Sequence, residues 1–244
     1  MENKYQTYSS LLYDTTKPPG TSVDGDIEFY KQLVLPIEGK VLEAGVGNGR
    51  MLIGFLKYKV NIIGVDKSKE MLELCQNNLD KNNLKCELIC CDLVDFKKEN
   101  EFECIIMPNA SFNLLETRQK AIQVLSNFYT SLQSEGQIAL DLIMPVDFKA
   151  GSEHIMEHKI NDLNLTVKNY SQEINWYDQY TINKINYIID NKIVETQNFK
   201  LNWYGVKEFK TILEQIGFKK VEIIKNYNNS RVLNLKTITF IATK

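Results

Sequence analysis

Between residues 41 and 144, short apolar runs alternate with stretches in which apolar positions recur every three or four residues. The runs are Val41-Leu42, Val60 to Val65, Cys86 to Cys91, Phe102 to Met107, and Gln137 to Met144 after Gly136. Between them, Met51, Leu52, Phe55 and Leu56 predict one helix, and Met71, Leu72 and Leu74, continued by Leu79, predict a second. Residues 116 to 133 carry Ala121, Val124, Leu125, Phe128 and Leu132 at helical spacing. A further helical pattern, Ile27, Phe29, Tyr30, Leu33 and Val34, precedes them and stops at Pro36. Continuous apolar runs separated by amphipathic helices predict a doubly wound α/β fold with a mostly parallel sheet.

From Asp147 the period changes to two. Residues 154 to 160, 163 to 174, 176 to 189 and 192 to 203 alternate Ile, Val, Tyr and Thr with charged residues, as antiparallel strands do. Asp190-Asn191 is a two-residue hairpin turn between two of them. Regular structure resumes with an amphipathic helix, Val206 to Ile216, stopped by Gly217-Phe218. Val221 to Ile224 and Thr237 to Ala242 supply two last strands, an antiparallel pair at the sheet edge. The expectation is one domain over residues 1–244, with an inserted antiparallel β-meander over 146–203. Residues 1 to 20 are polar and tyrosine-rich (Tyr5, Tyr8, Tyr13) and end in Lys17-Pro18-Pro19-Gly20. They are either simple surface packing or a flap that closes over a ligand.

The first apolar run ends in an acid, Glu43, and three glycines follow at every second position: Gly45, Gly47 and Gly49. A strand that turns into a helix with a bare backbone is where nucleotide-like ligands approach a parallel sheet. A dinucleotide site needs Gly-x-Gly-x-x-Gly, and here Arg50 occupies the last position. Glu43 would also be a poor neighbour for phosphates and a good one for a positively charged ligand. Asp66 and Asp92 stand at the ends of the next two strand candidates.

These residues resemble the class I S-adenosylmethionine-dependent methyltransferases, and the resemblance covers most of the chain. It implies a seven-stranded Rossmann-like sheet and S-adenosyl-L-methionine as cofactor. Glu43-Ala44-Gly45-Val46-Gly47-Asn48-Gly49 looks like the motif that packs against the methionine part and ribose. Asp66, followed by Lys67, lies where the family places an acid that accepts both ribose hydroxyls. Met71 falls where an apolar side chain covers the adenine, and Asp92-Leu93 resembles the pair that receives and flanks that ring. Met107 to Phe112 matches the segment beside the reacting methyl. Asn109, Phe112, Tyr13 and Tyr204 are expected to line the transfer site, with Tyr5 closing over the cofactor. Asn109 would orient an amine or hydroxyl, or cap the following helix. Trp203-Tyr204, Glu208, Leu213-Glu214 and Gly217-Phe218 resemble the segment before the last two strands in small-molecule members. In those enzymes the insertion covers the active site; the alternatives are a homodimer surface or edge protection.

Composition narrows the partners. With 43% hydrophobic and 25% charged residues and a formal net charge of −2, the chain has no basic footprint for nucleic acid or an anionic membrane. The segment Met107-Pro108-Asn109-Ala110 also departs from the Asn/Asp-Pro-Pro-Tyr/Phe tetrapeptide of base-amino methyltransferases. A small-molecule substrate is therefore expected. No apolar run approaches the roughly eighteen residues of a membrane span, and the N-terminus lacks a signal peptide's apolar core, so a cytoplasmic protein is the expectation. Cys75, Cys86, Cys90, Cys91 and Cys104 form no two-residue-gap motif and read as structural. His154 and His158 lie in a strand pattern, so no metal site is expected. Two other functions stay open: a catalytically silent S-adenosylmethionine-binding module, and an NAD(P)-dependent oxidoreductase.

Overall fold

The computed structural model describes residues 4–228 and 235–244. Its larger sheet has seven strands, introduced here in chain order: β1 (Val41–Ala44), β2 (Ile62–Asp66), β3 (Leu88–Cys90), β4 (Phe102–Met107), β5 (Leu132–Ile143), β10 (Lys219–Lys225) and β11 (Thr237–Thr243). The spatial order is β10-β11-β5-β4-β1-β2-β3. The β1–β2, β1–β4, β2–β3 and β4–β5 pairs are parallel, and β11 runs antiparallel to both β5 and β10. Strand order reverses between β1 and β4, and the crevice beyond their carboxyl ends is the natural ligand position.

Six helices accompany the strands: α1 (Thr7–Thr16), α2 (Asp26–Val34), α3 (Leu52–Leu56), α4 (Lys69–Lys81), α5 (Arg118–Ser131) and α6 (Val206–Ile216). The alternation of side chains along β1 assigns each residue to one of two cores. Val41 packs with α2, α3 and α4 through Tyr30, Leu52, Phe55 and Leu79. Leu42 and Ala44 pack on the opposite face with Phe128 of α5 and Phe209 and Leu213 of α6. Burying one such side chain contributes about 1.5–3 kcal/mol, which is why the period of each strand dictates its orientation.

The second sheet is antiparallel, in the order β6 (Glu153–Ile160), β7 (Leu163–Asn175), β8 (Tyr180–Ile189) and β9 (Lys192–Asn202). Asp190 and Asn191 both have positive φ, 49° and 61°, as a tight two-residue hairpin requires. One face of this sheet, with Ile160, Leu165, Val167 and Tyr187, packs against Tyr8, Leu11 and Leu12 of α1. Among the described residues, no helix is long and apolar enough to cross a membrane.

Some boundaries differ from the periodicity. β5 starts at Leu132, which pairs with Phe102 before the register shifts, rather than after Gly136. Residues 176 to 179 form a turn, not the start of a strand. The first twenty residues contain α1, whose apolar side chains face the second sheet rather than the main core.

Candidate active site

The glycine turn leaves β1 with its backbone bent into the left-handed region. Gly45 and Gly47 have φ of 72° and 55°, and a Cβ at either would sit 3.2 Å from Ser111 Cβ or 3.1 Å from Met71 Cε. Only glycine suits both the conformation and the space. Asp66, at the end of β2, ties this turn to the next one: Gly47 N–H donates to its Oδ2 (2.9 Å) and Ser68 N–H to its Oδ1 (2.9 Å). Burial raises the Asp66 pKa, against the pull of these backbone donors. Ser68 caps α4 by accepting from Met71 N–H at 3.2 Å, which places Met71 in the first turn facing the glycines.

A cavity of about 860 Å³ opens over these strand ends. Gly45, Gly47, Asp66, Lys67, Met71, Asp92, Leu93 and Met107 line it from the sheet side. Tyr5 and Tyr13 close it from α1 and the residues just before it, with Asn109 between the two sides. The rings of Tyr5 and Tyr13 meet edge to face at 5.8 Å. The Tyr13 hydroxyl accepts from Asn109 Nδ2 at 3.2 Å. Burial raises the pKa of both tyrosines, so they stay protonated. Asn109 itself has φ of 55° and does not cap the short 3-10 helix that follows, whose capping position is Ala110.

Four expected site residues lie elsewhere. Ala44 points with Leu42 into the α5–α6 core. Phe112 is fully buried there, its ring 5.6 Å from that of Tyr204 and 5.2 Å from that of Phe209. Tyr204 is likewise a core residue, 2% exposed, with the Arg118 guanidinium over its ring at 4.5 Å. Glu43 shares the orientation of Val41 and faces a separate small cavity of about 20 Å³ instead of the large one. In each case the strand period or an aromatic cluster decided the direction.

Residues not singled out in the sequence complete the site. Phe199 and Leu201, successive same-face residues of β9, line the cavity together with Leu114, Leu115 and Ile143. Glu195 and Gln197 precede them on that face and hold the N-terminal segment: Tyr8 N–H and Ser9 N–H donate to the Glu195 carboxylate (2.7 and 3.2 Å), and Gln197 Nε2 donates to Lys4 O (3.1 Å). Lys17 lines the cavity with its Nζ 4.9 Å from the Tyr13 ring centre, and burial lowers its pKa. Cys90 and Cys91 also line it, Cys90 exposed and Cys91 half-buried against the main core. Beneath Asn109, the fully buried Asp141 accepts from Tyr30 OH (2.9 Å), Thr239 Oγ1 (2.7 Å), Tyr227 OH (2.8 Å) and Asn109 N–H (2.8 Å). An acid inside the apolar run Ile-Ala-Leu-Asp-Leu-Ile was the available signal for it.

Residues 41–136 match the family described as "Methyltransferase domain". Within those residues, under half of its length, the chain carries an S-adenosylmethionine-dependent methyltransferase domain. It is 27% identical over 222 residues to a carboxy-S-adenosyl-L-methionine synthase of Staphylococcus epidermidis, covering 85% of this chain and 87% of that one. An S-adenosylmethionine-dependent methyltransferase from Clostridium acetobutylicum shares the fold, with a TM-score of 0.76 at 16% identity, over 95% of this chain and 96% of that one. So does the sugar N-methyltransferase KedS8 from Streptoalloteichus, with a TM-score of 0.78 at 13% identity, over 100% and 95%. The cavity of this methyltransferase fits that cofactor. A Cβ would crowd its glycine cradle, Asp66 and Asp92 line it with carboxylates, and Met71 and Leu93 line it with apolar side chains.

Proposed function

We propose that this methyltransferase transfers a methyl group to a nitrogen or oxygen of a small-molecule acceptor. The observation that carries this reading is that one cavity is lined both by the glycine turn with Asp66 and by Phe199 and Leu201 of the inserted sheet. S-adenosylmethionine, when bound, supplies an activated methyl on a sulfonium centre. Asp66 would accept the ribose hydroxyls, Asp92 the adenine amino group, and Met71 and Leu93 would flank the ring. Lys17, a cavity cation beside the Tyr13 ring, would hold the methionine carboxylate. Asn109 and Tyr13 orient the acceptor's nucleophile, and the apolar side chains of Phe199 and Leu201 keep water away from it. Positioning alone can contribute roughly 7–11 kcal/mol to such a reaction. The inserted sheet then acts as a lid of this domain, and the mildly acidic chain favours a small acceptor over nucleic acid.

Turnover tests the proposal. Purified protein with S-adenosylmethionine and a panel of glucosamine, ethanolamine, glycine and catechol should yield S-adenosylhomocysteine and a methylated product. Binding of S-adenosylhomocysteine without turnover on any such panel would identify a silent binding module instead. The Staphylococcus relative favours a second reading, in which S-adenosylmethionine is itself the molecule modified. Mass spectrometry of ligand released from freshly purified protein separates the two: carboxy-S-adenosylmethionine would support the second, S-adenosylmethionine or S-adenosylhomocysteine the first.

A further inference from the structure

Glu43 is the least explained polar group near the site. It is 3% exposed, and its Oε2 has no hydrogen-bond partner in the protein. An orphaned buried carboxyl oxygen is destabilising unless something satisfies it. Arg50, the nearest cation, does not: both of its terminal nitrogens bond the Asp26 carboxylate, and Nη1 also donates to Thr21 O. The side chain instead faces the small cavity of about 20 Å³, which Tyr13, Arg50, Asn109 and Ser111 also line. That volume suits one water, which needs about 10–15 Å³ and two to four polar partners. Tyr13, Asn109 and Ser111 line the large cavity as well, so the two spaces meet at these side chains.

Tyr13 is oriented for a link between them. Its oxygen accepts from Asn109 Nδ2 at 3.2 Å. That contact uses one lone pair, leaving the other to receive a proton and the hydroxyl proton to be donated elsewhere. We propose that one water in the small cavity joins Glu43 Oε2 to the Tyr13 hydroxyl, and that Glu43 takes up the proton an acceptor must shed before methylation. The proton leaves the acceptor's nitrogen or oxygen for the Tyr13 oxygen, while the Tyr13 proton passes to the water and a water proton passes to the Glu43 carboxylate. The electron pair stays on the acceptor as its nucleophilic lone pair, and Tyr13 ends neutral. The charged and titratable groups facing Glu43 are Arg50 and Asp26, which are paired, together with Asp66, Tyr13, Cys75 and Cys86. Burial outweighs Arg50 and raises the Glu43 pKa to about 8, which suits reversible proton uptake near neutrality.

The second half of the proposal rests on the transferase reading, and the first half does not. A high-resolution crystal structure of the full chain should show a water within hydrogen-bond distance of both Glu43 Oε2 and the Tyr13 hydroxyl; an empty cavity overturns the proposal. Carbon-13 NMR of glutamate-labelled protein, assigned with Glu43→Gln, should show this carboxyl titrating several units above an ordinary glutamate. Ionisation complete by pH 5 overturns it equally. With the panel acceptor that turns over fastest, Glu43→Gln should lose at least tenfold in kcat and the alkaline rise of the rate, with S-adenosylhomocysteine affinity within threefold of wild type. An unchanged pH profile removes Glu43 as proton sink. Tyr13→Phe keeps Glu43 in place and should flatten the profile in the same way, which serves if Glu43→Gln does not fold. If nothing on the panel turns over, the proton-sink half falls with the transferase reading, whereas the water and the titration still stand or fall alone.

Discussion

Asp66 joins three things: the glycine turn, the start of α4 and the cavity. Its oxygens are fixed by two backbone N–H groups, so the carboxylate is already aimed when a ligand arrives. Asp66→Ala should therefore weaken S-adenosylhomocysteine binding at least tenfold by calorimetry, because two ribose hydroxyls lose a charged acceptor. An unchanged affinity in a folded variant would take Asp66 out of the site. Asp141 makes the opposite case of a carboxylate that serves the frame. Removing it in Asp141→Ala leaves three hydroxyls and the Asn109 N–H without their acceptor. Denaturant melts should show a loss of about 2–5 kcal/mol, and a change below 1 kcal/mol would contradict the hydrogen-bond assignment.

At the scale of elements, α1 is held at both ends. Its Tyr8 and Ser9 N–H groups are satisfied by Glu195 of β9, while Ser9 Oγ accepts from the Gln6 N–H at the N-cap. Near its C-terminus, Asp14 accepts from Asn48 Nδ2 of the glycine turn and Asn78 Nδ2 of α4, both at 2.8 Å. Glu195→Ala should fray the first end only. Hydrogen exchange at residues 7 to 10 is expected to accelerate at least tenfold, while α4 keeps its protection. Equal acceleration in both helices would mean that Glu195 supports the fold at large and not this helix.

Among the described residues, three carboxyl groups have raised pKa values, Asp66, Asp141 to about 6 and Glu43 to about 8, each chiefly by burial. Each binds its proton more tightly when folded than when unfolded, so the folded state holds more protons and stability falls as pH rises. Asp141 contributes to that fall from about pH 4 to 6 and Glu43 from about pH 4.5 to 8. Urea titrations at pH 5 and pH 8.5 should show the decline, and Glu43→Gln should lose the part above pH 6. A wild-type protein more stable at pH 8.5 than at pH 5 would refute it.

The layer order was legible in the sequence because each strand of the main sheet is a short apolar run and each crossover helix a 3.6-period stripe. The hairpin at Asp190-Asn191 was legible for the same local reason. Cavity floor residues such as Gly47, Asp66 and Leu93 could be read because they follow strand ends directly. The directions of Glu43, Phe112 and Tyr204 could not, since which face a residue takes depends on which core the neighbouring positions fill. Phe199 and Leu201 were hidden because alternation in the inserted sheet predicts a buried face without saying what that face covers.

One strand has a kinetic consequence. Along β9, Glu195 and Gln197 anchor the N-terminal segment, and the next two inward residues, Phe199 and Leu201, line the cavity, where the proposed reaction sets them against the acceptor. A molecule lodged against Phe199 and Leu201 therefore braces the same strand that must yield before Tyr5 and Tyr13 swing aside. Departure should be ordered, with methylated acceptor first and S-adenosylhomocysteine last. Product inhibition reads this directly: S-adenosylhomocysteine should compete with S-adenosylmethionine alone, and the methylated acceptor with neither substrate. A random pattern would show that the two halves of β9 act independently.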